Sequence, residues 1–286
     1  MIHHLIRAAI LTGFAMYIVY VDRTGEMSLY IAPRMELYVK LSALGLYAAA
    51  IYQIYAALQK RLGSNEPACG CEHEPSPSVF KNSLIYGLFL FPLMLGFLVP
   101  TGTLGSELAA KKGVSLSGIE ALERVTPDGG PENGEGKSAD PLFPYDEYTE
   151  AHAAYGKVLY KQSLITVPEK QYIETLTTLD LYREAFAGKE VEISGFVYRE
   201  EEMGDNRFAV SRFAMNCCSA DALPYGLMIE WPRATDYAQD EWVSVKGKLT
   251  TTSYMENEII VLKAEKLERI EAPASPYVYP DLDFGL

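Results

Sequence analysis

The sequence predicts an α-helical membrane anchor of three spans followed by a mainly-β soluble domain, an OB-like five-stranded barrel. Three observations predict it. The first hundred residues contain three uncharged apolar runs, a stretch rich in Gly, Pro and charge comes after them, and beyond residue 163 short alternating segments recur, bent at glycines. Charge divides the chain in the same way. Residues 1–100 hold seven Lys/Arg and six Asp/Glu, leaving 18 basic and 32 acidic residues for the rest, a balance of −14 within a whole-chain charge of −13. An apolar, nearly neutral part therefore precedes a strongly acidic soluble one. The acidic part repels phosphate backbones, so nucleic acid is not an expected partner.

The first apolar run, residues 8–21, carries no charge, and Arg7 can snorkel to the interface. No convincing small-x-small cleavage site precedes Asp22 and two more spans follow, so a retained helix is expected rather than a cleaved leader. Residues 41–59 are again uncharged, bounded by Tyr38, Lys40, Lys60 and Arg61. The third run, residues 82–106, has 25 uncharged residues. With Arg7 at the interface about 20 residues from the N-terminus are span-length, so each of the three segments reaches the roughly 17–25 residues that a spanning helix needs, the first by the smallest margin. Ser42, Gly45, Ala49 and neighbouring alanines are spaced to allow close helix contact, while Pro92 and Pro100 imply a kink and an exit. Three helices enclose no transport pathway, so a membrane-embedded partner is expected beside the surrounding lipid. Orientation is not set by charge. Arg7, Lys60, Arg61 and Lys81 on one side balance Arg23, Arg34, Lys111 and Lys112 on the other.

Residues 1–102 thus form the transmembrane domain. Residues 103–145 form a short helix (103–112) and a linker (126–144) with almost nothing to bury, residues 146–271 the β domain with its preceding helices, and residues 272–286 a tail. Helices are expected over 146–161 and 170–186. Strands are expected over 190–199, 207–213, 226–231, 242–249 and 258–267. In the first strand, Val191 and Ile193 alternate up to Gly195 and the phase slips there, as at a bulge or bend. Five short glycine-bent strands preceded by a helix predict a small closed barrel of the OB type, although a different five-stranded barrel or a sandwich would give a similar pattern.

Two cysteine pairs account for all four cysteines. Cys69, Cys71 and His73 lie with Glu72 and Glu74 between the second and third spans, and two thiols beside an imidazole suit zinc or another transition metal. With two spans between them, His3 and His4 are expected on the same side of the membrane as that loop. Cys217 and Cys218 precede Asp221 in a segment bracketed by Asn216 and Pro224. Adjacent residues on a strand point to opposite faces, so this pair converges on one ion only if the chain bends. The expected ligands are Cys217, Cys218 and Asp221. The rival use is thiol redox chemistry, and the bland one is packing. No P-loop, dinucleotide fingerprint, HExxH or GxSxG occurs, and His152 is the lone histidine of the soluble half, so enzymatic activity is not expected.

The segments GKEVEISGFVYR, RFAMNCCSADALPYGL and TGTLGSELAAKKGVSLS together resemble the YcgQ-like family of bacterial membrane proteins of unknown function. The Cys-Cys-x-Ala-Asp block is the most specific part of the likeness. It implies pairing with a multi-span permease, a link to zinc or other metal homeostasis, and an extracytoplasmic soluble domain in the bacterial cell membrane. The expected function is therefore that of an accessory subunit of a permease whose outer domain handles a ligand or metal ion. The alternative is a membrane-anchored redox protein using Cys217 and Cys218.

Overall fold

The structure, a computed structural model, describes residues 2–62, 78–99, 115–116, 140–255, 257–273 and 275–285. Cys69, Cys71 and His73, the helix expected over 103–112 and the linker before residue 140 lie outside these. The chain divides into two compact units, Met1–Gly102 and Thr103–Leu286.

In the first unit, α1 (Ile2–Thr24), α2 (Pro33–Leu62) and α3 (Val79–Leu98) are long and apolar enough to cross a membrane. A left-handed Gly25 (φ 77°) ends α1 and a 3₁₀ turn leads into α2, whose first residue, Pro33, is pre-set for a helix start. Lys40 of α2 ties the hairpin by reaching Asp22 of α1 at 2.8 Å and Glu36 at 3.2 Å. Buried alanines recur every seventh residue, Ala8 and Ala15 on α1 and Ala43, Ala50 and Ala57 on α2, with Ala56 buried beside the last. Small side chains at that period let two backbones approach along one seam. The expected stripe of Ser42, Gly45 and Ala49 is not that seam: all three are exposed, and a Cβ on Gly45 would meet nothing within 4 Å. Glycine matters where α3 meets α1, since a Cβ on Gly13 would lie 2.6 Å from Leu93 and one on Gly96 2.8 Å from the Tyr17 ring. At the start of α1, His3 bonds the Tyr86 hydroxyl of α3 at 2.9 Å and His4 bonds Gln53 of α2 at 2.8 Å.

The second unit opens with α4 (Glu150–Tyr160), preceded by a turn in which the Asp146 carboxylate accepts from the backbone N–H groups of Tyr148 and Thr149. The helix expected over 170–186 is interrupted at Tyr182, giving α5 (Tyr172–Leu181) and α6 (Arg183–Phe186). The five expected strands are all present: β2 (Glu190–Tyr198), β3 (Arg207–Ala214), β4 (Leu223–Glu230), β5 (Trp242–Tyr254) and β6 (Asn257–Arg269). Two short ones join them, β1 (Leu164–Thr166) and β7 (Tyr277–Val278), giving one sheet in the order β1-β2-β5-β6-β4-β3-β7. A further β2–β3 pairing joins β2, β5, β6, β4 and β3 into a ring.

The phase slip at Gly195 is a change of neighbours rather than a bulge. Pairing with β5 runs in register from Glu190 to Phe196, while Phe196–Tyr198 also pair with Ser211–Ala209 of β3. A Cβ on Gly195 would lie 2.5 Å from the Ser211 carbonyl oxygen, so only glycine lets β3 approach there. The register shift falls instead between Lys246 and Gly247, opposite β6. Val191, Ile193, Val197, Phe208, Val210, Leu227, Ile229, Val243, Val245 and Leu262 form the core with Leu176, Leu179 and Phe186 from the helices.

The C-terminal segment is part of this unit. β7 runs parallel to β3, and the Met215 N–H donates to the Val278 carbonyl at 2.9 Å. Arg212, 1% exposed, donates to the Ser275 carbonyl at 2.7 Å and to Glu169 at 2.8 Å, and lies 5.5 Å from the Trp242 ring. A buried guanidinium is tolerated only with such partners. Farther on, the Asp281 N–H donates to Glu174 at 2.8 Å and Phe284 packs 4.8 Å from the His152 ring.

Burial lowers the pKa of His152 from 6.5 to about 4. Between these values the unfolded chain takes up the proton and the folded chain resists it. Stability from this group is therefore full above pH 6.5 and lost as pH falls toward 4, by about 3 kcal/mol for a shift of this size. Both tryptophans, Trp231 and Trp242, lie in this unit, so their fluorescence follows its unfolding in the intact chain. Denaturant midpoints should fall between pH 7 and pH 4.5 in the native chain and fall less in His152→Gln. An equal fall in both would show that His152 does not set this slope.

Candidate metal centre

Strand β3 ends at Ala214 and β4 begins at Leu223, so residues 215–222 form the corner that reverses the chain. Both ends of the corner are fixed. Met215 is buried and tied to Val278, Ala222 is buried, and the Ser115 N–H donates to the Pro224 carbonyl at 3.0 Å while the Gly226 N–H donates to Ser115 at 3.2 Å. Ser115 thereby extends the sheet beyond β4, where β6 pairs only with Met228–Glu230. The anchoring of the corner through Ser115 and β7 is absent from any local motif, since it comes from segments about a hundred and about sixty residues away.

Within the corner, Asp221 acts on the backbone. Its two carboxylate oxygens accept from the N–H groups of Asn216 at 3.0 Å and Cys217 at 2.7 Å, and its own N–H donates to the Cys218 carbonyl at 3.0 Å. These bonds fold residues 216–221 back on themselves and supply the bend that two adjacent cysteines need in order to converge. The Sγ atoms of Cys217 and Cys218 stand 3.6 Å apart, and with the Asp221 carboxylate all three donor atoms lie within 4.8 Å of one another. Both thiols are free and half-buried. Among the described residues this is the one group of three or more such donors.

The electrostatics follow from that proximity. Hydrogen bonding to Asp221 and to Cys218, reinforced by burial and by the negative charge of both, pushes the Cys217 thiol up to about 11. Burial pulls Asp221 upward, but hydrogen bonds from the Cys217 thiol and from the backbone N–H groups of Cys217, Asn216 and Cys218 outweigh it and hold the carboxyl below its ordinary range. A thiol nucleophile or redox cysteine needs a depressed pKa and a cationic setting. This one has neither. Two sulfurs beside a carboxylate make a site that gains from a cation, because a metal ion replaces the thiol protons and relieves the repulsion among three anionic donors. The donor set of two sulfurs and one oxygen fits zinc or another thiophilic ion. Of the residues predicted as ligands, Cys217, Cys218 and Asp221 are brought together. Cys69, Cys71 and His73 lie outside the described residues.

Comparison with known proteins gives the chain's relations. The profile described as DUF1980 N-terminal domain matches residues 6–115, and that described as DUF1980 C-terminal domain matches residues 142–280. The chain is 26% identical to the UPF0703 protein YcgQ of Bacillus subtilis, over 96% of this chain and 98% of that protein. It is 24% identical to a Streptococcus mutans protein named "Putative two-component membrane permease complex subunit", over 96% and 99%. Among solved structures, the small single-stranded DNA-binding protein from Streptomyces coelicolor is 14% identical and covers 29% of this chain and 93% of its own. Its TM-score of 0.20 carries no argument about fold or ligand.

If Asp221 holds the Cys217 thiol protonated, Asp221→Asn should bring that thiol back toward its ordinary value near 9. Alkylation of Cys217 by iodoacetamide at pH 8 should then speed up by roughly tenfold or more, in step with the larger thiolate fraction. Peptide mass mapping against time measures it. An unchanged or slower rate would mean that the carboxylate does not govern the thiol.

Proposed function

From the premise that this chain belongs to the DUF1980 family, carrying its N-terminal and C-terminal domains in order, we propose that it is the accessory subunit of a membrane permease complex whose β domain, outside the membrane, handles a transition-metal ion of the zinc class. The observation that carries the metal reading is the convergence of Cys217, Cys218 and Asp221 within 4.8 Å at a half-buried corner. The name of the Streptococcus mutans relative supports the permease partner. Three spans alone enclose no pathway, and α2 keeps Ser42, Gly45 and Ala49 exposed to lipid or to a partner helix. On this reading the ring of five strands is an OB-like barrel. Its order, β2-β3-β4-β6-β5, with β4 and β6 parallel and the other neighbours antiparallel, supports that connectivity. Cys69, Cys71 and His73 make a second ligand set of the same chemistry on the sequence alone.

Bound at the corner, the ion would be held by Cys217, Cys218 and the Asp221 carboxylate, and its charge would neutralise theirs. The rest is done by the chain. Asn216 and Cys217 orient the carboxylate through their N–H groups, and Met215 and Ser115 keep the corner in place.

Equilibrium dialysis of the full chain in detergent against Zn(II), with reductant present, tests the site. In a Cys69→Ser/Cys71→Ser background, one zinc per chain should bind, and Cys217→Ser should weaken it at least about tenfold, as loss of one of few ligands requires. Zinc uptake that ignores Cys217 would refute the assignment. For the partner, Gly45→Leu should reduce co-purification of a multi-span membrane protein while leaving Trp fluorescence of the β domain unchanged. Full co-purification with that substitution would remove α2 from the interface.

A further inference from the structure

We infer that the Cys217–Cys218–Asp221 corner is an open exchange site for a four-coordinate divalent ion, with three donors from the chain and a fourth position left to an incoming ligand. The inference rests on the metal reading proposed above and adds the coordination geometry. At the metal–sulfur distance of about 2.3 Å typical of zinc, two sulfurs 3.6 Å apart subtend roughly 100° at the ion. That angle belongs to tetrahedral coordination. A linear two-thiolate ion needs its sulfurs on opposite sides, roughly 4.6 Å apart for the same bond length, which residues 217 and 218 do not offer here.

The third donor is constrained as well. Both oxygens of Asp221 already accept from the backbone, so the carboxylate approaches the ion in an orientation fixed by Asn216 and Cys217 and through its remaining lone pairs. No fourth His, Cys, Asp or Glu among the described residues joins the group. A structural zinc site closes itself with four protein donors, whereas a site that keeps three is open at the fourth. All three side chains are half-buried rather than enclosed, so an incoming ligand can reach the group from solvent. An ion held this way can accept an imidazole, thiolate or carboxylate from a carrier before a chain ligand lets go. As each metal–sulfur bond forms, its thiol proton passes to solvent, and the reverse occurs on release.

Cobalt(II) reads both the donors and the geometry. Titrated alone into the reduced full chain carrying Cys69→Ser/Cys71→Ser, it should give a thiolate-to-cobalt charge-transfer band together with the intense visible bands of four-coordinate cobalt. Adding imidazole should shift the visible bands while the charge-transfer band persists, because imidazole takes the open position without displacing sulfur. Cys217→Ser/Cys218→Ser should abolish the charge-transfer band. Absence of that band in the parent chain would overturn the metal reading itself. A charge-transfer band with only the weak visible absorption of six-coordinate cobalt would keep the metal but contradict the tetrahedral geometry. Visible bands indifferent to imidazole would show a closed site and defeat the exchange role alone.

Discussion

The pairing of Phe196–Tyr198 with Ser211–Ala209 is the contact on which the rest of the β domain depends. Without it the strands form an open sheet with β3 far along the order from β2. With it, Val191, Ile193 and Val197 face Phe208, Val210 and Leu227 across a common interior, and α5 and α6 cover the core with Leu176, Leu179 and Phe186. The pairing exists because residue 195 has no side chain where the Ser211 carbonyl stands. Any larger residue must push the two backbones apart, and the loss would spread to every core residue that spans them.

The same closure places the corner that carries Cys217, Cys218 and Asp221. β3 is held by β2 and β4 and near its end also by β7, so the chain leaves Ala214 at a fixed point and direction. The Met215–Val278 bond and the Ser115 pairing to β4 then hold the first and last parts of the turn. Inside it, one carboxylate does two jobs. Asp221 folds the backbone by accepting from two N–H groups, and hydrogen bonding to the same carboxylate, reinforced by its charge, holds the Cys217 thiol in its protonated form. Local folding and chemistry are therefore coupled at this residue, and Asp221 substitutions act on both.

Much of this was legible in the sequence, and the parts that were not share a cause. The three spans are charge-free runs of helical length, and the five longer strands alternate, so period and composition find them. β1 and β7, at three and two residues, are too short to show a period. Cys217, Cys218 and Asp221 stand out because cysteine is scarce, yet whether adjacent thiols converge depends on backbone bonds within 216–221 that no pattern displays. Of the small residues on α2, the neighbouring alanines and not Ser42, Gly45 and Ala49 form the helical seam. Ala43 and Ala50 lie one position beyond Ser42 and Ala49, which is about 100° around a helix, and small residues alone do not say which side faces a neighbour. The role of Ser115 and the clasp of Arg212 on Ser275 are long-range pairings of ordinary residues, and local composition carries no trace of them.

The central proposal is that the adjacent thiols of one β-corner are ligands of a metal ion on a membrane-anchored subunit. X-ray absorption at the zinc edge of the reduced, zinc-loaded full chain tests this most directly, since it counts sulfur neighbours without relying on function. With Cys69 and Cys71 replaced by serine, the account predicts two sulfur neighbours at about 2.3 Å with oxygen or nitrogen completing the shell, and loss of both sulfurs in Cys217→Ser/Cys218→Ser. A shell made only of oxygen and nitrogen in the parent chain, or a sulfur shell that survives the loss of Cys217 and Cys218, would contradict it.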